Sequence, residues 1–187
     1  RGRKMFARPS KLADVVTCVF CVTLTRCPNA LLGSGVMRAA ADLDKVIKSY
    51  DVRGVVPTEF DSDLARDIGA AFVRLTAASQ IVVGHDMRAS GKSLVAAFIQ
   101  GATGQGADVI NIGLCSTDGL YFASGSLNVP GAMFTASHNP AQYNGIKLCR
   151  AGAKPIGRDS GLLDIRHMVQ GDLEPSGKIG QVHERDM

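Results

Sequence analysis

The chain has 187 residues, enough for one well-buried domain of ordinary size with tails to spare. Hydrophobic residues make up 45% and charged residues 20%, which excludes a disordered chain, and 5% aromatics with no Trp leaves little material for stacking on bases. The net charge of +4 is spread along the chain apart from a basic start at Arg1, Arg3, Lys4, Arg8 and Lys11, so it argues weakly for nucleic acid and suits an anionic small substrate.

Leu12 to Leu24 is an apolar run after basic residues that mimics a secretory signal, but Asp14 interrupts it and no convincing small-residue cleavage site follows. No segment reaches the roughly 20 apolar residues of a membrane span. Cys18, Cys21 and Cys27 have a C-x2-C-x5-C spacing that suits zinc or redox chemistry. A fourth ligand is absent nearby and the cluster sits in an apolar run, which argues against a metal. With Cys115 and Cys149 the cysteine count is five, an odd number that favours a reducing cytoplasm. Residues 1–36 are expected to lie outside the fold, with Met37 a more plausible beginning and a targeting segment as the alternative.

Asp42 to Tyr50 reads as a short lead-in to a loop, Ser49 to Gly54, in which Asp51 and Arg53 form a surface ion pair on residue chemistry alone. From Asp61 the pattern is helical: Asp61 or Ser62 is the cap, and Leu64, Ile68, Phe72 and Leu75 recur on one apolar face. Asp61, Asp63 and Asp67 do not converge on one side of such a helix, so they read as cap and solvated face, not as metal ligands. Gln80 to Gly84 is a short buried strand that runs into Gly84-His85-Asp86-Met87-Arg88-Ala89-Ser90-Gly91-Lys92-Ser93. Gly-Lys-Ser before a helix suggests a nucleotide-binding P-loop. That motif has four residues between its glycines, and six separate Gly84 from Gly91, so the nest of amides does not form. Leu94, Ala97, Phe98 and Gly101 supply the next helix's buried stripe, Ala107 to Ile112 is another strand, and Thr117 or Asp118 starts a short helix.

Val129 to Phe134 is an apolar run that reads as a buried strand. Thr135-Ala136-Ser137-His138-Asn139-Pro140 and then Asn144-Gly145-Ile146-Lys147 follow it, with Asn-Pro and Asn-Gly as turn signals. The loop lifts the Ser137 hydroxyl off the end of a strand, beside an imidazole at His138 and an ammonium at Lys147. A phosphorylated serine needs such a setting, because it carries a charge of roughly −1.5 to −2 and three acceptor oxygens. Ile146 to Cys149 returns antiparallel, Ser160 caps a last helix, and after Gly171 the chain turns to Gly, Pro and charge. Strands alternating with helices predict crossover connections and a largely parallel sheet covered on both sides. Ligands of open α/β sheets gather where strands end, and Ser137, Arg53 and Asp86 follow such ends, which predicts an anion site.

Thr135 to Pro140 resembles the phosphoserine loop of the α-D-phosphohexomutases, and Asn144 to Lys147 resembles its continuation. Ser49-Tyr50-Asp51-Val52-Arg53-Gly54 and Val83-Gly84-His85-Asp86-Met87-Arg88 precede it in the family's order, so the resemblance covers about Val46 to Asp172, the family's first domain. It implies a three-layer α/β/α sandwich with a mostly parallel mixed sheet. It also implies a division into an extension at 1–36, the domain at 37–171, and at 172–187 the start of a linker to a second domain that this chain lacks.

The activity implied is that of an intramolecular phosphotransferase, a phosphomannomutase or phosphoglucomutase that moves phosphate between C1 and C6 of a hexose. Ser137 is then nucleophile and phosphoryl carrier, Lys147 and His138 are the candidates for proton transfer and for holding the transferred group, and Arg53 and Tyr50 reach into the site. Asp86 and Arg88 organise the cleft edge, and Ser90 caps the next helix. The cofactors implied are Mg2+ and a hexose 1,6-bisphosphate. The family holds the metal with aspartates of a later D-x-D-x-D loop, which this sequence lacks, so Ser137 through its phosphate is the one metal ligand expected here. The partners implied are a hexose phosphate and the remaining domains of the same enzyme, without nucleic acid or membrane, in the cytoplasm, and the chain alone is expected to be inactive. The alternatives are a non-catalytic domain of the same fold that binds a sugar phosphate or a partner, and a P-loop-like nucleotide binder.

Overall fold

A computed structural model describes residues 38–171 and 173–187. The expectations for residues 1–36, including Cys18, Cys21, Cys27 and the apolar run from Leu12, lie outside the described residues.

The first described elements are a helix α1, Ala40–Val46, and a strand β1, Val52–Val55, where the sequence suggests only a lead-in and a loop. Leu43 and Val46, three apart, give α1 its buried side. The next helix, α2, spans Ser62–Thr76, and Asp61 caps it as expected, accepting a hydrogen bond from the Leu64 amide at 2.8 Å. Leu64, Ile68 and Phe72 are buried and Leu75 packs against the same core, so the apolar face read from spacing is the one that docks.

Then follow β2, Gln80–His85; α3, Gly91–Gly104; β3, Asp108–Leu114; α4, Thr117–Leu127; β4, Gly131–Phe134; and β5, Tyr143–Arg150. A two-residue strand β6, Lys154–Pro155, a 3-10 turn at Arg158–Ser160, a helix α5, Leu162–Val169, and a strand β7, Val182–Glu184, complete the order. The two serines expected as caps differ from that reading. Ser90 does hold the N-cap position of α3, but its hydroxyl bonds no helix amide and instead accepts a hydrogen bond from Asn144 Nδ2 at 2.9 Å. Ser160 belongs to the 3-10 turn, where its hydroxyl accepts from the Gly157 amide at 2.7 Å, and α5 starts from Gly161. Ser116 is the cap of α4, through the Gly119 amide at 3.0 Å.

The sheet order is β1-β5-β4-β2-β3-β7, with β6 paired to β5. β2 is parallel to both β3 and β4, and β7 is parallel to β3. β5 is antiparallel to β1, β4 and β6 and is therefore the one strand of the described sheet that runs against the rest. This is the mostly parallel mixed sheet that the alternation predicts.

Alternate side chains of the pleated strands point to opposite layers. Ile81, Val83, Ala132, Phe134 and Ile146 join the core under α1, α2, α3 and α5, whereas Val82, Ile110, Ile112 and Met133 join Leu120 and Ala123 of α4. The result is a three-layer α/β/α sandwich. α2 and α3 cross without side-chain clearance: a Cβ at Gly69 would lie 2.2 Å from the Phe98 carbonyl oxygen, and one at Gly101 would lie 1.9 Å from that of Arg66. The close crossing brings Phe72 and Phe98 together at 6.0 Å between ring centroids, and Phe98 meets Phe134 edge-on at 5.4 Å. Phe134 ends β4, so this aromatic row underpins the backbone three residues before Ser137.

Candidate active site

The loop after β4 keeps its first residues in the sheet and turns the next outward. The Thr135 amide donates to the Gly145 carbonyl at 3.0 Å, and Thr135 and Ala136 are buried. Ser137 then adopts a left-handed conformation with φ 53° and is exposed. Its amide donates to Thr135 Oγ1 at 3.0 Å, and the Asn139 amide donates back to the Ala136 carbonyl at 3.0 Å, closing a tight turn around the hydroxyl-bearing residue.

Arg88 holds that turn from outside. Its guanidinium donates to the carbonyls of Ser137 at 2.9 Å and of Asn139, Pro140 and Tyr143 at 2.8 Å each. Asp86 orients the arginine: Oδ1 accepts from the Arg88 amide at 3.0 Å, and Oδ2 lies 3.3 Å from Nε without the alignment of a hydrogen bond. The Asp86 amide in turn donates to the Phe134 carbonyl at 3.0 Å. The amides of Asp86, Arg88 and Gly91 are thus all bonded within the protein, Gly91 to the Arg88 carbonyl at 2.9 Å. They do not form the phosphate nest that a P-loop needs.

A charge cluster stands beside the loop. Register places Arg53 of β1 opposite Gly145 of β5, and Lys147 lies two residues along the same face of β5. A Cβ at Gly145 would lie 2.1 Å from the Val52 carbonyl oxygen, so glycine is what lets β1 pair this closely. Arg53 Nη1 donates to Asn139 Oδ1 at 2.6 Å, its Nη2 pairs with Asp51 Oδ2, and Lys147 Nζ lies 3.5 Å from the same oxygen. Asp51 is only 8% exposed. The structure therefore gathers Arg53 and Lys147 around Asp51 and ties them to the Ser137 loop through Asn139. Tyr50, 82% exposed, and His138, also exposed, stand at the surface outside this cluster.

Sequence reading passed over Asp51, Asn139 and Asn144 as site residues. Asn144 is fully buried and spans from Ser90 Oγ to the Gly145 amide, which its Oδ1 binds at 2.8 Å. The available signal was position: all three sit within the motif stretches around Arg53 and Ser137.

A cavity of about 840 Å³ opens beside the site, lined by His85, Asp86, Arg88, Lys92, Ile99 and Glu184 among others, and Ser137, Arg53 and Lys147 do not line it. Burial pushes the thiols of Cys115 and Cys149 up, so both are protonated near neutral pH and poor nucleophiles. Among the described residues no three His, Cys, Asp or Glu side chains converge as a metal site. No helix of the described residues is long and apolar enough to cross a membrane.

Residues 44–171 match the family described as phosphoglucomutase/phosphomannomutase, alpha/beta/alpha domain I. The chain belongs to this family. A phosphohexose mutase of Xanthomonas campestris pv. campestris is 45% identical over 132 residues, 70% of this chain and 30% of that protein. A phosphomannomutase of Klebsiella pneumoniae is 43% identical over 129 residues, 68% of this chain and 82% of that one. Among solved structures, a phosphoglucomutase/phosphomannomutase family protein of Burkholderia thailandensis superposes with a TM-score of 0.67 at 33% identity, over 75% of this chain and 33% of its own. The chain thus spans about a third of the Xanthomonas and Burkholderia proteins. The turn around Ser137, the Arg88 clamp and the Arg53–Asp51–Lys147 cluster all lie inside the phosphoglucomutase/phosphomannomutase match.

Proposed function

We propose that this chain supplies the phosphoryl-carrying serine of a phosphohexomutase, which exchanges phosphate between C1 and C6 of a hexose. The observation that carries the reading is the exposed Ser137 hydroxyl on a rigidly held turn, one asparagine contact away from Arg53 and its partners Asp51 and Lys147. In the forward step the phosphoryl group leaves the Ser137 Oγ for the free hydroxyl of a hexose monophosphate, that hydroxyl gives up its proton, and Oγ takes one. The bisphosphate formed turns over, and its other phosphate returns to Oγ with the proton movements reversed.

In such a transfer the protein contributes position and positive charge. Arg53 and Lys147 balance the charge of the phosphoserine, and Lys147 and His138 are the groups proposed to move protons. Tyr50 is proposed to meet the sugar as it arrives, a role that its exposure supports. Mg2+ would use the Ser137 phosphate as one ligand, with the others supplied from outside the described residues, and a hexose 1,6-bisphosphate would charge the serine. The setting is proposed to be the cytoplasm, in keeping with two buried thiols, and the partners to be a hexose phosphate and the rest of the same enzyme, without nucleic acid or membrane.

Incubating the intact enzyme with hexose bisphosphate labelled in its phosphates tests the reading. Label on Ser137 that chases into hexose monophosphate is the expected result. Label absent from Ser137 while turnover proceeds would overturn it, and an enzyme that binds sugar phosphate without turnover would point to a non-catalytic domain.

A further inference from the structure

Arg88 reaches from the β2–α3 connection into the loop after β4, across about fifty residues of sequence by the spacing of its contacts, and its side chain is only 10% exposed. A guanidinium is planar, with its donors in a fixed fork. Nη1 serves the carbonyls of Pro140 and Tyr143, and Nη2 serves those of Ser137 and Asn139. Four Nη hydrogens meet four carbonyls, which leaves none for a phosphate, and Nε faces Asp86. Direct binding of the transferred group is therefore not what Arg88 is built for.

Its grip falls on the two residues that matter for geometry. One contact is the carbonyl of Ser137, whose left-handed φ of 53° is a conformation that L-residues hold only when their surroundings impose it. The other Nη2 contact is the carbonyl of Asn139, whose side chain receives Arg53. One rigid plane thus sets the nucleophile's backbone and the contact to the cation cluster relative to each other.

We propose that Arg88 is a positioning residue for phosphoryl transfer, directing the Ser137 hydroxyl toward the Arg53–Lys147 side of the site through its four carbonyl contacts. The inference rests on Ser137 being the phosphoryl carrier. No proton or phosphoryl group passes through Arg88.

The test compares wild type, Arg88→Lys and Arg88→Ala in the intact enzyme, measuring kcat, KM for hexose phosphate, melting temperature, and label on Ser137 from a labelled hexose bisphosphate. Lysine keeps the charge but presents its donors from a single rotatable atom, so it cannot hold four carbonyls in one plane. Arg88→Lys is expected to stay folded and to lose kcat by about 10- to 100-fold, the scale of a nucleophile displaced by an ångström, with KM changed far less. Methylguanidinium is expected to restore part of kcat to Arg88→Ala, or, where that variant does not fold, the kcat and KM split of Arg88→Lys decides alone. An unchanged kcat in Arg88→Lys, or a loss that only tracks the folded fraction, overturns the positioning role while leaving the carrier role of Ser137 standing. Wild type that takes no label on Ser137 overturns both.

Discussion

Ser137 combines an exposed hydroxyl with a backbone that a non-glycine residue enters at a cost of roughly 1–2 kcal/mol. Thr135 Oγ1, the Ala136 carbonyl and Arg88 hold the turn in place, so removing the hydroxyl should leave the scaffold untouched. Ser137→Ala is therefore expected to abolish mutase turnover with an unchanged melting temperature, and near-normal turnover would remove Ser137 from the chemistry. Lys147→Ala is expected to lower kcat by about 10² to 10⁴, the range for lost acid or base help, and an unchanged rate would exclude that role. Ser137, His138 and Lys147 were candidates from the sequence because they crowd into one loop and its continuation. Asp51 was not. In Asp51-Val52-Arg53 the local pattern is a solvated pair, and only the pairing of β1 with β5 buries the carboxylate between Arg53 and Lys147.

Helix α2 shows how far local chemistry reaches at the scale of an element, since its cap and buried face follow from Asp61 and the spacing of Leu64, Ile68 and Phe72. Asp61 also pairs with Arg38 at 2.6 Å. Burial pushes the Asp61 carboxyl up, but the Arg38 contact and the Leu64 amide outweigh it and hold it below the usual carboxylate range. A lowered folded value means that this stabilisation is complete above the ordinary carboxylate pKa and disappears as pH falls through the lowered one. Asp61→Ala is accordingly expected to cost about 1 kcal/mol near neutral pH by denaturant unfolding, with the gap to wild type closing in strong acid. At the α2–α3 crossing, Gly101→Ala would drive a methyl into the Arg66 carbonyl and is expected to destabilise the fold by about 1–3 kcal/mol, read from the same unfolding curves. The elements that escaped sequence reading are short: α1 has seven residues, β1 four, β6 two, and β7, in the stretch read as a linker, three, too few to establish a period. Ser90 and Ser160 looked like caps because serine favours that position, but each hydroxyl found a tertiary or local partner instead.

Over the whole molecule, two apolar layers close on a mixed sheet, and the row Phe72, Phe98, Phe134 carries rigidity from the helices to the strand that ends at the serine turn. Among the described residues no group of three His, Cys, Asp or Glu side chains is gathered where it could hold a divalent ion. The chain by itself, given hexose phosphate, bisphosphate and Mg2+, is thus expected to show no mutase turnover, and a measurable rate in a coupled assay would overturn that. Spacing along the sequence determined the longer helices and the central strands, the faces they bury, and that Ser137 follows the end of a buried strand. Those properties depend on neighbours within a few turns or strand repeats, which composition and periodicity encode. Tertiary structure alone decided that Arg53 and Lys147 share Asp51, and that Arg88 clamps the Ser137 turn. Lys147 and Asp51 are 96 residues apart, and Arg88 lies 49 from Ser137. Contacts at such separations are set by strand order and register, which arise when the layers pack and leave no period in the chain.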